Sequence, residues 1–78
     1  MNENVMDKVL EILSDGKEHS PTEIYDKVNA SEQNIDLVLD FLFEHDIVEL
    51  VRQKHGTLTY KLPERVQRFY TELNKIGG

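Results

Sequence analysis

The chain has 78 residues, no cysteine and a formal net charge of −6. A chain of this length can build one small core, near the lower size limit for a domain that folds unaided. The absence of cysteine excludes disulfides and thiolate metal sites. The N-terminus lacks the features of a signal peptide, and no apolar stretch approaches the length of a membrane span. We therefore expect a single cytoplasmic domain over residues 1–78.

The charge is divided unevenly along the chain. Residues 1–45 hold eleven acids and three lysines, for a net charge of −8, whereas residues 46–78 hold four acids and six lysines or arginines, for +2. Affinity for nucleic acids comes largely from cations that contact phosphates, so an acidic chain is a weak candidate for binding them. Any phosphate-facing surface is therefore expected in the C-terminal half.

The N-terminal half predicts two helices separated by a turn. Apolar residues at helical spacing indicate a first helix over about 4–14, which ends before Gly16. The segment from Ser20 to Glu23 predicts the start of a second helix over about 21–28. Ser20 can cap this helix, Pro21 suits its first position, and Glu23 has the spacing that completes a capping box.

A third helix is predicted over about 31–45, with Ser31 as its cap. Its buried stripe has the i, i+3, i+4, i+7 spacing of a core-facing helix: Ile35, Val38, Leu39 and Leu42. Acids recur every four residues along the same helix: Glu32, Asp36, Asp40 and Glu44. At about 100° per residue, the last three of these and Gln33 fall on the side away from the core. No lysine or arginine occurs from residue 28 to residue 51 to offset their charge.

The pattern changes after Asp46, where β-branched residues and then alternating residues predict strands over about 47–53 and 57–62. Lys54, His55 and Gly56 form the expected hairpin tip, with Gly56 at positive φ. Pro63 can open a last helix over about 64–75. The apolar stripe of that helix is Val66, Phe69, Tyr70 and Leu73.

The predicted order of three helices, a hairpin and a fourth helix resembles that of the winged helix-turn-helix domain, over roughly residues 4–75. The segment SPTEIYDKVNASEQNIDLVLDFLFEHDIVEL is most similar to the helix-turn-helix of small archaeal and bacterial winged-helix regulators. Asp46 stands where that family usually has glycine. The resemblance implies a mainly α fold with a small β-hairpin (α+β), made of a three-helix core, a two-stranded wing and a C-terminal helix. It also implies DNA binding in transcription regulation, although winged helices serve as protein-binding modules too.

The chain offers little for catalysis. We expect His19, His45 and His55 to be exposed or turn residues, because no set of converging metal ligands surrounds them in sequence. Gly16 and Gly56 are isolated turn glycines that do not form a phosphate-binding loop. We therefore expect neither a metal, nor a cofactor, nor enzymatic activity.

The wing is the expected contact for double-stranded DNA. It carries Arg52, Lys54, His55 and Lys61, and Arg65 follows on the last helix. The resemblance implies that wings contact the minor groove or the backbone. Gln33, among the acids of the third helix, completes the candidate set. Exposed hairpins also carry lysine and arginine for solubility and edge protection, so this pattern alone leaves DNA contact open.

The alternative function is protein interaction through the acidic and apolar face of the third helix. Leu37, Phe41 and Phe43 lie off its core stripe, and small domains rarely leave several large apolar groups in water. The apolar stripe of the last helix also has no later element to cover it. Two explanations stay open: this stripe packs on the first helix, or it forms a homodimer, as the resemblance implies for many family members.

Overall fold

The structure, a computed structural model, describes residues 4–77. Four helices and one hairpin follow each other along the chain. The helices are α1 (Val5–Leu13), α2 (Pro21–Lys27), α3 (Glu32–Glu44) and α4 (Glu64–Gly77), and the strands are β1 (Glu49–Arg52) and β2 (Leu58–Lys61). The α+β class and the predicted order of elements are confirmed. Both strands are shorter than their sequence patterns predicted.

Side-chain caps fix where the first three helices begin. Asn4, Ser20 and Ser31 accept hydrogen bonds from backbone N–H groups in the first turns of α1, α2 and α3. The expected capping box of α2 is only half formed, because the Glu23 carboxylate contacts His19 and Lys27 instead of closing back on the cap. Glu23 therefore makes two ionic contacts in place of the second hydrogen bond of the capping box.

The core lies between α1, α2, α3 and the two segments that flank the hairpin. Its nine buried apolar residues are Val9, Leu13, Ile24, Val28, Ile35, Leu39, Leu42, Val48 and Leu62. Three of the four residues of the predicted α3 stripe are among them, and the fourth, Val38, packs against the core from a half-buried position. No described residue of α4 belongs to this buried set, so α4 adds to the edge of the core without completing it.

The hairpin is antiparallel, with Glu49 opposite Lys61 and Arg52 opposite Leu58. Two backbone hydrogen bonds of 2.8 Å join His19 to Tyr60, so the segment between α1 and α2 forms an isolated bridge to β2. The Thr59 hydroxyl also donates to the Glu18 carboxylate at 3.1 Å. These contacts hold the hairpin in a fixed position against the helices.

Two residues at positive φ allow the chain to reverse around the hairpin. Gly56 has φ 85° at the tip, as the sequence predicted, and Asp46 has φ 59° just after α3. Asp46 thus takes the left-handed conformation that glycine adopts at lower cost. In the part of the chain that the structure describes, no helix is long and apolar enough to cross a membrane.

Candidate nucleic-acid and partner surfaces

The hairpin presents three basic side chains that pair with no carboxylate of the described residues. Arg52 at the end of β1, and Lys54 and His55 in the turn, are all exposed. None of the three has an ion pair or a side-chain hydrogen bond within residues 4–77. Because the hairpin is anchored at His19 and Glu18, these side chains are held in a fixed position relative to the helices. Such an arrangement suits contact with an anionic backbone.

The other predicted DNA contacts are less available or lie elsewhere. The Lys61 ammonium is 3.8 Å from a Glu49 carboxylate oxygen, across the strand pair. Arg65 is exposed in the first turn of α4, beside an apolar groove. Gln33 is exposed in the first turn of α3. The structure therefore brings Arg52, Lys54 and His55 together but leaves Gln33 on a separate element.

The exposed side of α3 is acidic. Asp36, Asp40 and Glu44 are exposed, as their spacing predicted, and Glu32 is exposed as well. The Tyr25 hydroxyl donates a hydrogen bond of 2.5 Å to Asp36, and this bond raises the pKa of Tyr25 to about 12. Burial raises the pKa of Tyr60, and the charges of Asp40 and Asp36 raise it further. The negative field of α3 therefore reaches both α2 and the second strand of the hairpin.

Large apolar side chains lie among these acids. Leu37 is 68% exposed, Phe41 45% and Phe43 46%. The Phe41 ring packs against the His45 ring with their centroids 4.3 Å apart, which covers only part of it. The sequence prediction that these residues lie off the core stripe is confirmed. We refer to the four acids and three apolar residues together as the α3 face.

His19 is the site residue that the sequence prediction missed. The expectation of an exposed or turn histidine is wrong for it, because its relative exposure is 8%. Its Nε2 lies 2.9 Å from Asp15 and its Nδ1 lies 2.7 Å from Glu23. Asp15 and Glu23 each lie four residues from His19, a spacing that brings side chains together within a helix. His19 lies between α1 and α2, outside either helix, so this spacing alone did not predict the contacts. The backbone bridge to Tyr60 is what fixes the ring between the two acids.

The geometry of the His19 cluster favours its ionised form. Ionised carboxylates only accept hydrogen bonds, so two ring nitrogens that both face carboxylates favour the imidazolium, which donates from both. Burial of the ring favours its neutral form, but the hydrogen bonds to Asp15 and Glu23 outweigh this effect and raise the pKa of His19. Burial also opposes ionisation of Asp15, yet the bond from His19 lowers its pKa. Bonds from Lys27 and His19 lower the pKa of Glu23.

An apolar groove of about 470 Å³ separates α4 from the rest of the domain. Its walls are Leu10, Ile47, Leu62, Arg65, Val66, Phe69, Tyr70 and Leu73. The first and last helices therefore face one another across a groove and do not pack closely. The apolar residues of α1 beyond its two buried ones are half-buried against the core. The apolar surface of these two helices that no other described element covers is thus mainly that of α4.

Residues 4–77 contain no group of three or more histidine or acidic side chains arranged to hold a metal ion. In the His19 cluster both ring nitrogens already face carboxylates.

Comparison with known proteins identifies a fold neighbour. The crystal structure of AF1382 from Archaeoglobus fulgidus matches with a TM-score of 0.71 over 97% of this chain and 86% of that one, at 19% sequence identity. At this identity the likeness shows a shared small α+β fold of four helices and a two-stranded hairpin. No protein-family model matches the chain, and no curated protein matches it either.

Proposed function

We propose that this protein is a winged-helix DNA-binding domain of transcription-regulator type, in which the hairpin is the wing and the main phosphate contact. The observation that carries the proposal is the exposed pair of Arg52 and Lys54, which have no acidic partner in the described chain and sit on an anchored hairpin. Phosphate contacts position a protein on DNA and supply most of its non-specific affinity. The wing offers such contacts.

The helix-turn-helix shape of the domain also supports this proposal, but the negative charge of α3 does not. In such motifs the second helix, here α3, enters the major groove. Its exposed side bears Asp36 and Asp40 with no cation nearby in sequence, and two like charges at short range repel even in water. We therefore assign the main phosphate contact to the wing and not to α3.

The test is the salt dependence of DNA binding. Each phosphate contact contributes about 0.9 to the slope of log affinity against log salt. Replacing both Arg52 and Lys54 with alanine should raise Kd for a labelled mixed-sequence duplex and lower this slope by about 1.8. Fluorescence anisotropy over a series of salt concentrations measures both quantities.

The matched control removes two cations from α4. The variant R68A/K75A has the same net charge as R52A/K54A, but each cation it loses lies within 4.0 Å of a carboxylate, Glu64 for Arg68 and Glu72 for Lys75. We expect this control to keep most of the parent slope. Equal losses in the two variants would mean that only total charge matters and that the wing is not the contact.

A second candidate function is a protein-binding module that uses the α3 face. The observation that favours it is the exposure of Leu37, Phe41 and Phe43 among acids, because aromatic and aliphatic groups at this density are typical of partner surfaces. If the parent protein binds no duplex even at low salt, this candidate replaces DNA binding. The variant L37S/F41S would then be the informative change, since it removes apolar surface without altering charge.

A further inference from the structure

The apolar groove beside α4 has the size and the lining of a small-molecule site. Its volume of about 470 Å³ falls within the range of about 300–1,000 Å³ that ligand pockets usually have. Leu10 and Ile47 line it on the side of the domain, and Phe69 and Leu73 line it on α4. Protein interiors leave few gaps larger than a water molecule, so a gap of this size is more than loose packing between two helices.

Arg65 is the charged residue in a lining that is otherwise apolar or aromatic. Its side chain is exposed and forms no ion pair or hydrogen bond among residues 4–77. Arg68, on the same helix, instead has its guanidinium 3.2 Å from the Glu64 carboxylate. A free guanidinium can bind a carboxylate through two parallel hydrogen bonds. Arg65 therefore supplies the groove with a group that binds anions.

Two acids lie near Arg65 without pairing with it. Asp46 and Glu49 share with it the lining of a smaller, adjoining depression, but neither forms an ion pair with it in the described part of the chain. A Glu49 carboxylate oxygen is instead 3.8 Å from the Lys61 ammonium. The donors of the Arg65 guanidinium therefore remain available to a ligand.

The apolar side of α4 extends away from this cation. At about 100° per residue, Val66, Phe69 and Leu73 fall between Arg65 on one flank and Tyr70 on the other. Arg65 lies in the first turn of the helix, and Leu73 follows eight residues later, or about 12 Å at a rise of about 1.5 Å per residue. This is about the length of an extended decanoate chain. The groove therefore suits a straight chain with an anionic end near Arg65.

We propose that the groove binds an amphipathic carboxylate, which is a straight alkyl chain that ends in a carboxylate group. The carboxylate pairs with Arg65, and the chain lies along Val66, Phe69 and Leu73. Binding covers apolar surface that the chain itself leaves in water, since Phe69 is 65% exposed and Leu73 is 50% exposed. Each methylene that becomes fully buried raises affinity up to about fourfold. For decanoate in an open groove we expect a Kd on the order of 0.1 mM.

The first experiment is an NMR titration of the full chain with decanoate, kept below its micelle concentration. We expect saturable shifts of the methyl signals of Leu10, Ile47 and Val66, which line the groove. Octanoate lacks two methylenes and should bind roughly tenfold more weakly. A dependence on chain length that stays confined to these signals identifies the groove as the site.

The second experiment tests the role of Arg65. Octylammonium has the same alkyl chain as octanoate and the opposite charge. The net charge of the protein, −6, favours the cation in general, so tighter binding of octanoate at the groove signals requires a local cation. R65Q should weaken octanoate binding about threefold to tenfold, since Arg65 is exposed, and should leave binding of neutral octanol unchanged. The matched control R68Q has the same net charge and should bind octanoate as the parent does.

The third experiment changes the apolar lining. F69S/L73S should weaken decanoate binding at least about tenfold, because it removes apolar contacts along the chain. Both side chains are at least half exposed, so the domain should fold normally, which circular dichroism verifies. The control L37S/F41S makes the same kind of change on α3 and should leave decanoate binding unchanged.

Several results would overturn the proposal. If decanoate produced no saturable shifts at the groove, the groove would have a different occupant, and a sedimentation mass of two chains would assign it to a second copy. If octylammonium bound there as tightly as octanoate, or if R65Q and R68Q lost affinity equally, Arg65 would not select the ligand. None of these outcomes depends on DNA binding, so the two proposals can fail separately.

Discussion

His19 connects three parts of the fold through one residue. Its ring lies between Asp15, just after α1, and Glu23 in the first turn of α2, and its backbone pairs with Tyr60 in β2. Hydrogen bonds to charged groups stabilise a protein more than neutral ones do. Since the hairpin is docked at this residue, the ionisation of His19 should affect how firmly the hairpin is held.

The pH dependence of stability follows from the directions of the pKa shifts. A raised pKa for His19, above its ordinary 6.5, contributes stability that is fully present below pH 6.5 and is lost as pH rises through the folded-state pKa. Lowered pKa values for Asp15 and Glu23 contribute stability that is present above their ordinary 3.8 and 4.5 and is lost as pH falls through the folded-state values. The cluster should therefore be most stabilising between pH 4.5 and 6.5.

The first prediction concerns His19→Gln. The neutral amide cannot act as a cation between two carboxylates, so we expect a loss of about 1–2 kcal/mol near pH 6, discounted for the partial exposure of both acids. The loss should shrink as pH rises through the folded-state pKa of His19. Urea unfolding at several pH values measures it. His55→Gln, at an exposed turn position, is the control and should show neither effect. A constant loss at all pH values would contradict the ionic description.

The second prediction concerns Asp46, which has φ 59°. Left-handed backbone costs most side chains roughly 1–2 kcal/mol, aspartate less and glycine almost nothing. We therefore expect Asp46→Ala to lower the free energy of unfolding by about 1 kcal/mol, whereas Asp46→Gly should leave it unchanged or raise it by a few tenths. The control Asp26→Ala lies within α2, where alanine favours the helix. If Asp46→Ala proved as stable as Asp46→Gly, the backbone at this position would not be strained.

At the scale of elements, the helices and the hairpin were predictable because each has its own hydrophobic periodicity and its own capping or turn residues. Ser20 and Ser31 cap α2 and α3 as predicted, and Gly56 turns the hairpin. What escaped prediction depends on contacts between distant residues. The bridge between His19 and Tyr60 joins segments far apart in sequence, and local spacing carries no signal for such a contact. The sequence did indicate that no later element covers the apolar stripe of α4, but its amphipathic pattern could not decide between packing on α1 and an exposed stripe.

The α3 face gives the third prediction. Replacing Asp36 and Asp40 with asparagine removes two negative charges from an exposed helix surface, and the amide oxygen of residue 36 can still accept the Tyr25 hydroxyl. We expect the fold to be intact and non-specific DNA binding to tighten by several fold, since repulsion of phosphates is reduced. Anisotropy at low salt measures the change.

The control for this variant places the same charge change on another helix. D7N/E11Q removes two exposed acids from α1 and should tighten DNA binding less. Weaker binding by the D36N/D40N variant would show that these carboxylates make specific contacts, for example with cytosine amino groups in the major groove. In that case α3 would be a base-reading helix after all.

At the scale of the molecule, the core and α4 are separable. All nine buried apolar residues lie at or before Leu62, and α4 contacts the body mainly through half-buried residues in its first half, together with the bond from Gln67 to the Ser14 carbonyl. The rest of the domain should therefore fold without α4.

The last prediction is that a chain ending after Pro63 still folds in one cooperative transition. Loss of Val66, Tyr70 and the Gln67 hydrogen bond should lower the free energy of unfolding by about 2–3 kcal/mol. If α4 pairs two chains, the melting temperature of the full chain should rise with protein concentration, because a dimer is stabilised by mass action, whereas that of the shortened chain should not. Circular dichroism melts at several concentrations compare the two. A shortened chain without a cooperative transition would show that α4 belongs to the folding unit.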